Sequence, residues 1–220
     1  MKTILATTAL LFLALPVAAE PGQPATNAGR YEIWVGLTGW PGITELQPLA
    51  AGNFDEVGFG LGGAFHGTLK QFEHSELLIG ADMFISGTSS NVSGTIDNLI
   101  ARDLYLGASL KWALGQSRAL QFDGGIGYHL LDMAQVSTRI FGLEHQAWES
   151  NRPAAFVGAT WDVWAGHEGK TGGLSLAFKV HFVDFGAVRD EDVFLNPLLG
   201  SDAGSLAGPI YLFQVGFSAR

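Results

Sequence analysis

Residues 57–66 read VGFGLGGAFH. Val57, Phe59, Leu61, Gly63 and Phe65 occupy one parity, and Gly58, Gly60, Gly62, Ala64 and His66 the other. A strand turns successive side chains to opposite faces, so this stretch has one apolar face and one nearly bare one. Glycine weakens a strand and gains nothing from facing water. It is useful where a strand backs onto a crowded interior, and an eight-stranded barrel is only wide enough inside to be filled by side chains. The stretch therefore reads as large apolar residues pointing outward and small ones inward. A soluble barrel such as a lipocalin has the opposite polarity.

The same alternation recurs from Arg30 to the end of the chain. The apolar parity is Tyr31–Leu37, then Val57–Phe65, Leu77–Ile85, Leu104–Trp112, Leu120–Leu130, Val157–Val163, Leu174–Phe182 and Tyr211–Phe217. Nearly every charge inside these segments lies on the other parity. Eight segments of roughly 10–14 residues are expected as strands. Residues 41–55, 87–101, 132–152 and 187–207 read as long connections, and 67–73, 115–118 and 166–172 as short ones. Long and short connections alternate, as in an up-and-down meander with short turns at one end, long loops at the other, and both termini at the short-turn end. Outer-membrane barrels have this layout. In lipid the sheet must close, because each unpaired edge group costs several kcal/mol.

Composition supports the reading. The 220 residues include 30 glycines and no cysteine, and are 47% hydrophobic but only 15% charged. Disordered chains are poor in hydrophobics and rich in charge. Without cysteine there is neither a disulfide framework nor a thiolate metal site. A net charge of −9, from 12 Lys+Arg against 21 Asp+Glu, removes the basic footprint that nucleic-acid binding needs. Lys2, the apolar run Ile4–Leu15 and the small residues Ala18-Ala19 read as a Sec signal peptide over 1–19. Residues 20–29 read as a periplasmic lead-in and 30–220 as the barrel. The fold class expected is all-β, an eight-stranded antiparallel up-and-down transmembrane barrel in the bacterial outer membrane. Tyr31, Trp112, Trp161 and Phe217 fall on the outer face near the periplasmic rim, where an aromatic girdle sits.

The signal peptide, the eight-segment rhythm and the ending Tyr211-Leu-Phe-Gln-Val-Gly-Phe217 resemble the small Gram-negative outer-membrane barrels of the OmpA and OmpW types. That resemblance implies that Tyr211, Phe213, Val215 and Phe217 form the signal read by the barrel-assembly machinery. The usual form ends at the terminal aromatic, whereas this chain continues Ser218-Ala219-Arg220.

Charges on the inner face must pair, since burying a lone charge is costly. Asp82, Lys111, Asp123, Asp162, Lys179 and His181 are expected to form a polar lumen network, with Gln121 and Gln214 as extensions. Parity allows Lys111 opposite Asp123 and Asp162 opposite Lys179. Such a network reads as a plug, or alternatively as the lining of a narrow channel for small or hydrophobic solutes. A third reading, a lipid A acyl hydrolase, needs His with Ser and an acid in hydrogen-bond reach. In His74-Ser75-Glu76 adjacent side chains point to opposite faces, at the periplasmic end. His129, Asp132 and Ser137 are better placed, while His66 and His167 fall near the periplasmic turns. No enzyme activity, cofactor or metal is expected. Asp190-Glu191-Asp192 is an acidic loop run without the ligand spacing of a calcium site. The segment 132–152 mixes apolar and charged residues and reads as a hairpin extension or a contact surface. The expected role is structural or loop-mediated, with outer-membrane lipids, the assembly machinery and an extracellular ligand as partners.

Overall fold

A computed structural model describes residues 29–45, 57–91, 97–115, 117–137, 143–163, 172–189 and 202–219. The signal peptide, all of the lead-in but Gly29, His167 and Asp190–Asp192 lie outside them. Eight strands follow in order: β1 (Arg30–Gly39), β2 (Val57–Gln71), β3 (Ser75–Asn91), β4 (Asp97–Leu114), β5 (Leu120–Ser137), β6 (Leu143–Asp162), β7 (Gly172–Arg189) and β8 (Asp202–Ala219). Each pairs antiparallel with its sequence neighbours, and β8 returns to β1 to close the barrel. Closure sets Ile33 beside Phe217 and Leu37 beside Phe213.

The wall has the expected polarity. Among the outward residues Phe59 is 77% exposed and Ile126 71%, while the opposite parity carries Arg30, Glu32, Asp82, Lys111, Asp123 and Lys179, all buried. On β4 the outward run from Leu104 to Leu114 contains no charge. Ten residue steps at about 3.3 Å, tilted by roughly 40°, make a band about 25 Å tall, the thickness of an outer-membrane hydrocarbon layer. Arg102, Asp132, Asn151 and Asp184 are the first outward polar residues above that band on β4 to β7.

The glycine parity of β2 finds its reason in one neighbour. The Phe84 ring of β3 lies across Gly60 and Gly62, and a Cβ on Gly62 would stand 2.8 Å from its Cδ2. Phe84 is 4% exposed, so the bare face of β2 is a seat for that ring.

Two expectations need correction. The strands are longer than the alternation alone suggested, up to 20 residues in β6. Most of 87–101 and 132–152 is strand projecting beyond the apolar band, as are 187–189 and 202–207 of the last long connection; 87–101 is therefore a tall hairpin rather than a loop, and 132–152 is the hairpin extension read from its sequence. At the other end β2 runs to Gln71, past a bulge between Thr68 and Lys70, and leaves a tight turn in which the Phe72 N–H donates to the Ser75 carbonyl at 2.8 Å. Alternation marks only strands with one face in lipid. Above the band the outward face meets water and the inward face an apolar core, so the pattern lapses while the ladder continues.

At the outer end the wall is not laddered all round. The described β6–β7 ladder stops at Ala154 opposite Val183, although both strands continue. Above it, side chains replace the ladder: Ser150 Oγ donates to the Phe185 carbonyl at 3.0 Å, and Arg152 Nε at 3.4 Å. After β1 the chain folds inward as a short 3-10 helix, Pro41–Glu45. It carries Ile43, fully buried, beside Trp40, also buried, and Trp40 meets the Phe185 ring at 5.4 Å.

Candidate functional site

The lumen is filled in two storeys. The lower one, at the short-turn end, is ionic. Alternation puts Arg30 and Glu32 on the inner face of β1, and closure brings them to partners far away in sequence. Arg30 grips Asp162 through both terminal nitrogens at 2.8 Å each, and its Nε donates to Glu32. Lys111 Nζ reaches both Glu32 oxygens, at 2.6 and 2.7 Å. Lys179 Nζ donates to Asp82 Oδ1 at 2.5 Å and lies 3.3 Å from Asp123. His66 Nε2 donates to Ser109 Oγ at 2.8 Å, and that hydroxyl donates in turn to Asp82. Asp162 also accepts from Gln121 at 2.8 Å and Ser175 at 2.5 Å. At the floor, Arg118 Nη1 meets Glu76 at 3.0 Å.

All six lumen residues expected from the sequence are buried, five of them in this storey and His181 just above it. Lys111 does face Asp123 in register, but at 3.9 Å that contact is the weaker one, and Glu32 is the main partner. The pairing of Asp162 with Lys179 is wrong. Asp162 stands opposite Ser175 and Lys179 opposite Gly158, four residues along. An even slip keeps every side chain on its face, so parity cannot detect it. Arg30, Glu32, His66, Asp103 and His129 belong to the network and were not foreseen as members, although parity already put them on the inner faces.

The upper storey is apolar, built around Trp40, Ile43, Met133, Phe156, Phe185 and Leu206. Between the storeys lies a chain of polar rings. His129 Nδ1 donates to Asp103 Oδ2 at 2.7 Å, and His129 Nε2 lies 3.1 Å from His181 Nδ1. Tyr105 packs against both imidazoles, at 4.9 and 4.4 Å, and Phe156 stacks on His181 at 4.9 Å. Beside Asp103 is a small cavity lined also by Thr38, Trp40 and Ser86, of the order of one water molecule in size. Thr38 Oγ1, Trp40 Nε1 and Asp103 Oδ1 are all buried there without a protein partner.

The residues considered for catalysis do not assemble. His129 points inward, whereas Asp132 points outward and takes Arg102 Nη2 at 2.5 Å. The side chain of Ser137 lies outside the description. His74 is exposed beside Glu73, while Glu76 turns into the lumen floor. The cluster of His66, Ser109 and Asp82 is buried, and its carboxylate accepts from the serine hydroxyl and stands 3.5 Å from the same histidine Nε2, so no hydroxyl is left free to attack. Outside, Tyr31, Trp112, Trp161 and Phe217 stand exposed near the short-turn rim. Tyr211, Phe213, Val215 and Phe217 form the outward face of β8, where Phe213 meets Phe178 of β7 at 4.7 Å.

A closed antiparallel barrel, apolar outside over one membrane thickness and ionic within, is a transmembrane β-barrel of the outer-membrane kind. No family model and no curated protein matches the chain. Among solved structures it is similar to Neisserial surface protein A, at 8% identity and TM-score 0.43 over 87% of this chain and 96% of that one. It is also similar to Ail, the attachment invasion locus protein of Yersinia pestis, at 9% and 0.47 over 87% and 97%. A third is the outer membrane protein OprG of Pseudomonas aeruginosa, at 14% and 0.45 over 88% and 97%. Such values transfer nothing about activity, and the class rests on the wall and lumen themselves.

Proposed function

We propose that the protein is a closed scaffold barrel of the Gram-negative outer membrane, whose role is structural or carried by the hairpins that stand above the bilayer. The observation behind this reading is the filled lumen: buried ion pairs in the lower storey and an inward-folded apolar cap in the upper one. Water-filled channels belong to much larger barrels. β5 continues from Asp132 to Ser137 and β6 from Leu143 to Asn151, which lifts that hairpin about 15 Å above the band by the same rise and tilt. It offers surface to an extracellular ligand while the girdle holds the lipids. The outward face of β8 serves recognition by the barrel-assembly machinery.

Single-channel recording on the refolded mature protein at neutral pH tests the scaffold, with insertion verified by heat-dependent gel mobility. A silent, inserted protein is expected. Discrete openings whose size changes in Lys111→Ala would establish the narrow channel instead.

A further inference from the structure

We propose that the His129–His181 pair is a pH-operated catch that holds the Trp40–Ile43 cap in the barrel mouth. The proposal rests on the membrane-barrel reading but not on conductance.

The geometry allows the pair one shared proton and refuses a second. With His129 Nδ1 donating to Asp103, His129 Nε2 accepts from His181 Nδ1. One added proton reverses the sharing, so that His129 becomes an imidazolium beside the Asp103 carboxylate and donates to His181. A further proton sets two N–H groups against each other at the 3.1 Å separation. No carboxylate is hydrogen-bonded to His181, whose Nε2 is buried without a partner. Asp103 gives one oxygen to His129, and Asp82, from β3, is held by Lys179 and Ser109. From β4, His181 meets Tyr105, and from β5, His129, while the Asp82 carboxylate of β3 acts on it as a nearby charge. Its own strand brings Lys179, whose ammonium sits 4.9 Å from the Phe156 ring on which His181 stacks. β6 presents Phe156 and β8 presents Ile210, neither of which titrates.

Asp103, whose Oδ1 has no partner, lines the water-sized cavity with Thr38, Trp40, Gly58 and Thr88, so the site next to His129 has room for a water. The disturbance has a way out. A column of rings runs from His181 through His129 (5.2 Å) and Phe185 (5.9 Å) to Trp40 (5.4 Å). The upper β6–β7 seam beside Phe185 is tied by side chains rather than by ladder, so this is where the mouth yields most cheaply.

The test is 19F NMR of the refolded full-length mature protein labelled with 5-fluorotryptophan, with the Trp40 resonance assigned by Trp40→Phe. Spectra are taken from about pH 7.5 to about pH 4.5, a window on both sides of the ordinary histidine value. In the wild type the buried Trp40 resonance loses intensity to a solvent-exposed position as pH falls. The change is lost in His181→Phe, which keeps the ring stack, and in His129→Gln, which keeps a donor for Asp103. A wild-type resonance that stays put, or a folded variant that responds as the wild type does, overturns the catch. Should His181→Phe fail to fold, His129→Gln decides. A barrel that conducts at neutral pH would sink the scaffold reading yet leave this result standing on its own.

Discussion

In the lower lumen Arg30, Lys111 and Lys179 serve four carboxylates: Glu32, Asp82, Asp123 and Asp162. Three cations against four anions leave one negative charge in excess, apart from the Arg118–Glu76 pair at the floor. Asp123 is the acid whose oxygens make no hydrogen bond, only the ionic approaches at 3.3 and 3.9 Å. The lumen is therefore predicted to respond very differently to losing the two residues that face each other in register. Lys111→Met removes two short charge-assisted hydrogen bonds and doubles the excess negative charge. Breaking a buried pair from one side costs about 3–5 kcal/mol. Asp123→Asn brings the count to three against three and breaks no hydrogen bond, so it is expected to stay within about 1 kcal/mol of the wild type, the range of an ion pair of little net worth. Urea unfolding from lipid vesicles, followed by gel mobility of the folded form, measures both. Pairing Lys111→Met with Glu32→Gln should recover at least about 2 kcal/mol relative to the sum of the single effects, because the stranded carboxylate is gone. Equal costs for Lys111→Met and Asp123→Asn, or additivity in the Lys111/Glu32 cycle, would refute the charge accounting.

Gly62→Leu drives a side chain into Phe84 and should cost about 1–3 kcal/mol as overpacking, with Phe84→Ala in the same chain restoring part of it. If the double variant is no better than Gly62→Leu in the same unfolding assay, the seat for Phe84 is not what the glycine parity serves. Ala108 lies near the middle of the outward face of β4, so Ala108→Arg should cost about 2–4 kcal/mol. The native Arg102, six residues up the same strand, marks the level where that penalty falls to about 0–1 kcal/mol. Arg scanned along β4 with no depth dependence would mean that the band is not in lipid.

What the sequence reveals and what it withholds follow from the same physics. Lipid permits no charge on the outward parity, so alternation is enforced residue by residue, and the inside-out barrel can be read from stretches as short as 57–66. Register is not enforced that way. Sliding β7 by four residues past β6 leaves Lys179 and Asp162 still inside, and only the closed barrel shows that Lys179 reaches across the lumen to Asp82 while Arg30 takes Asp162. Pairing neighbours along a hairpin could not have found these, because in a barrel this narrow the strongest partners come from across the ring: Arg30 to Asp162, and Glu32 to Lys111, 132 and 79 positions apart. Those cross-lumen pairs lock strands that share no ladder, as Arg30 ties β1 to β6. The interior charges therefore secure the closed form as well as filling the lumen. The outer end lacks this lock. There the lumen is apolar, the β6–β7 ladder has ended, and Trp40 and Ile43 fill the mouth by packing alone. A barrel ionically clamped at its short-turn half and merely packed at its long-hairpin half has its freedom to change shape at the hairpin end.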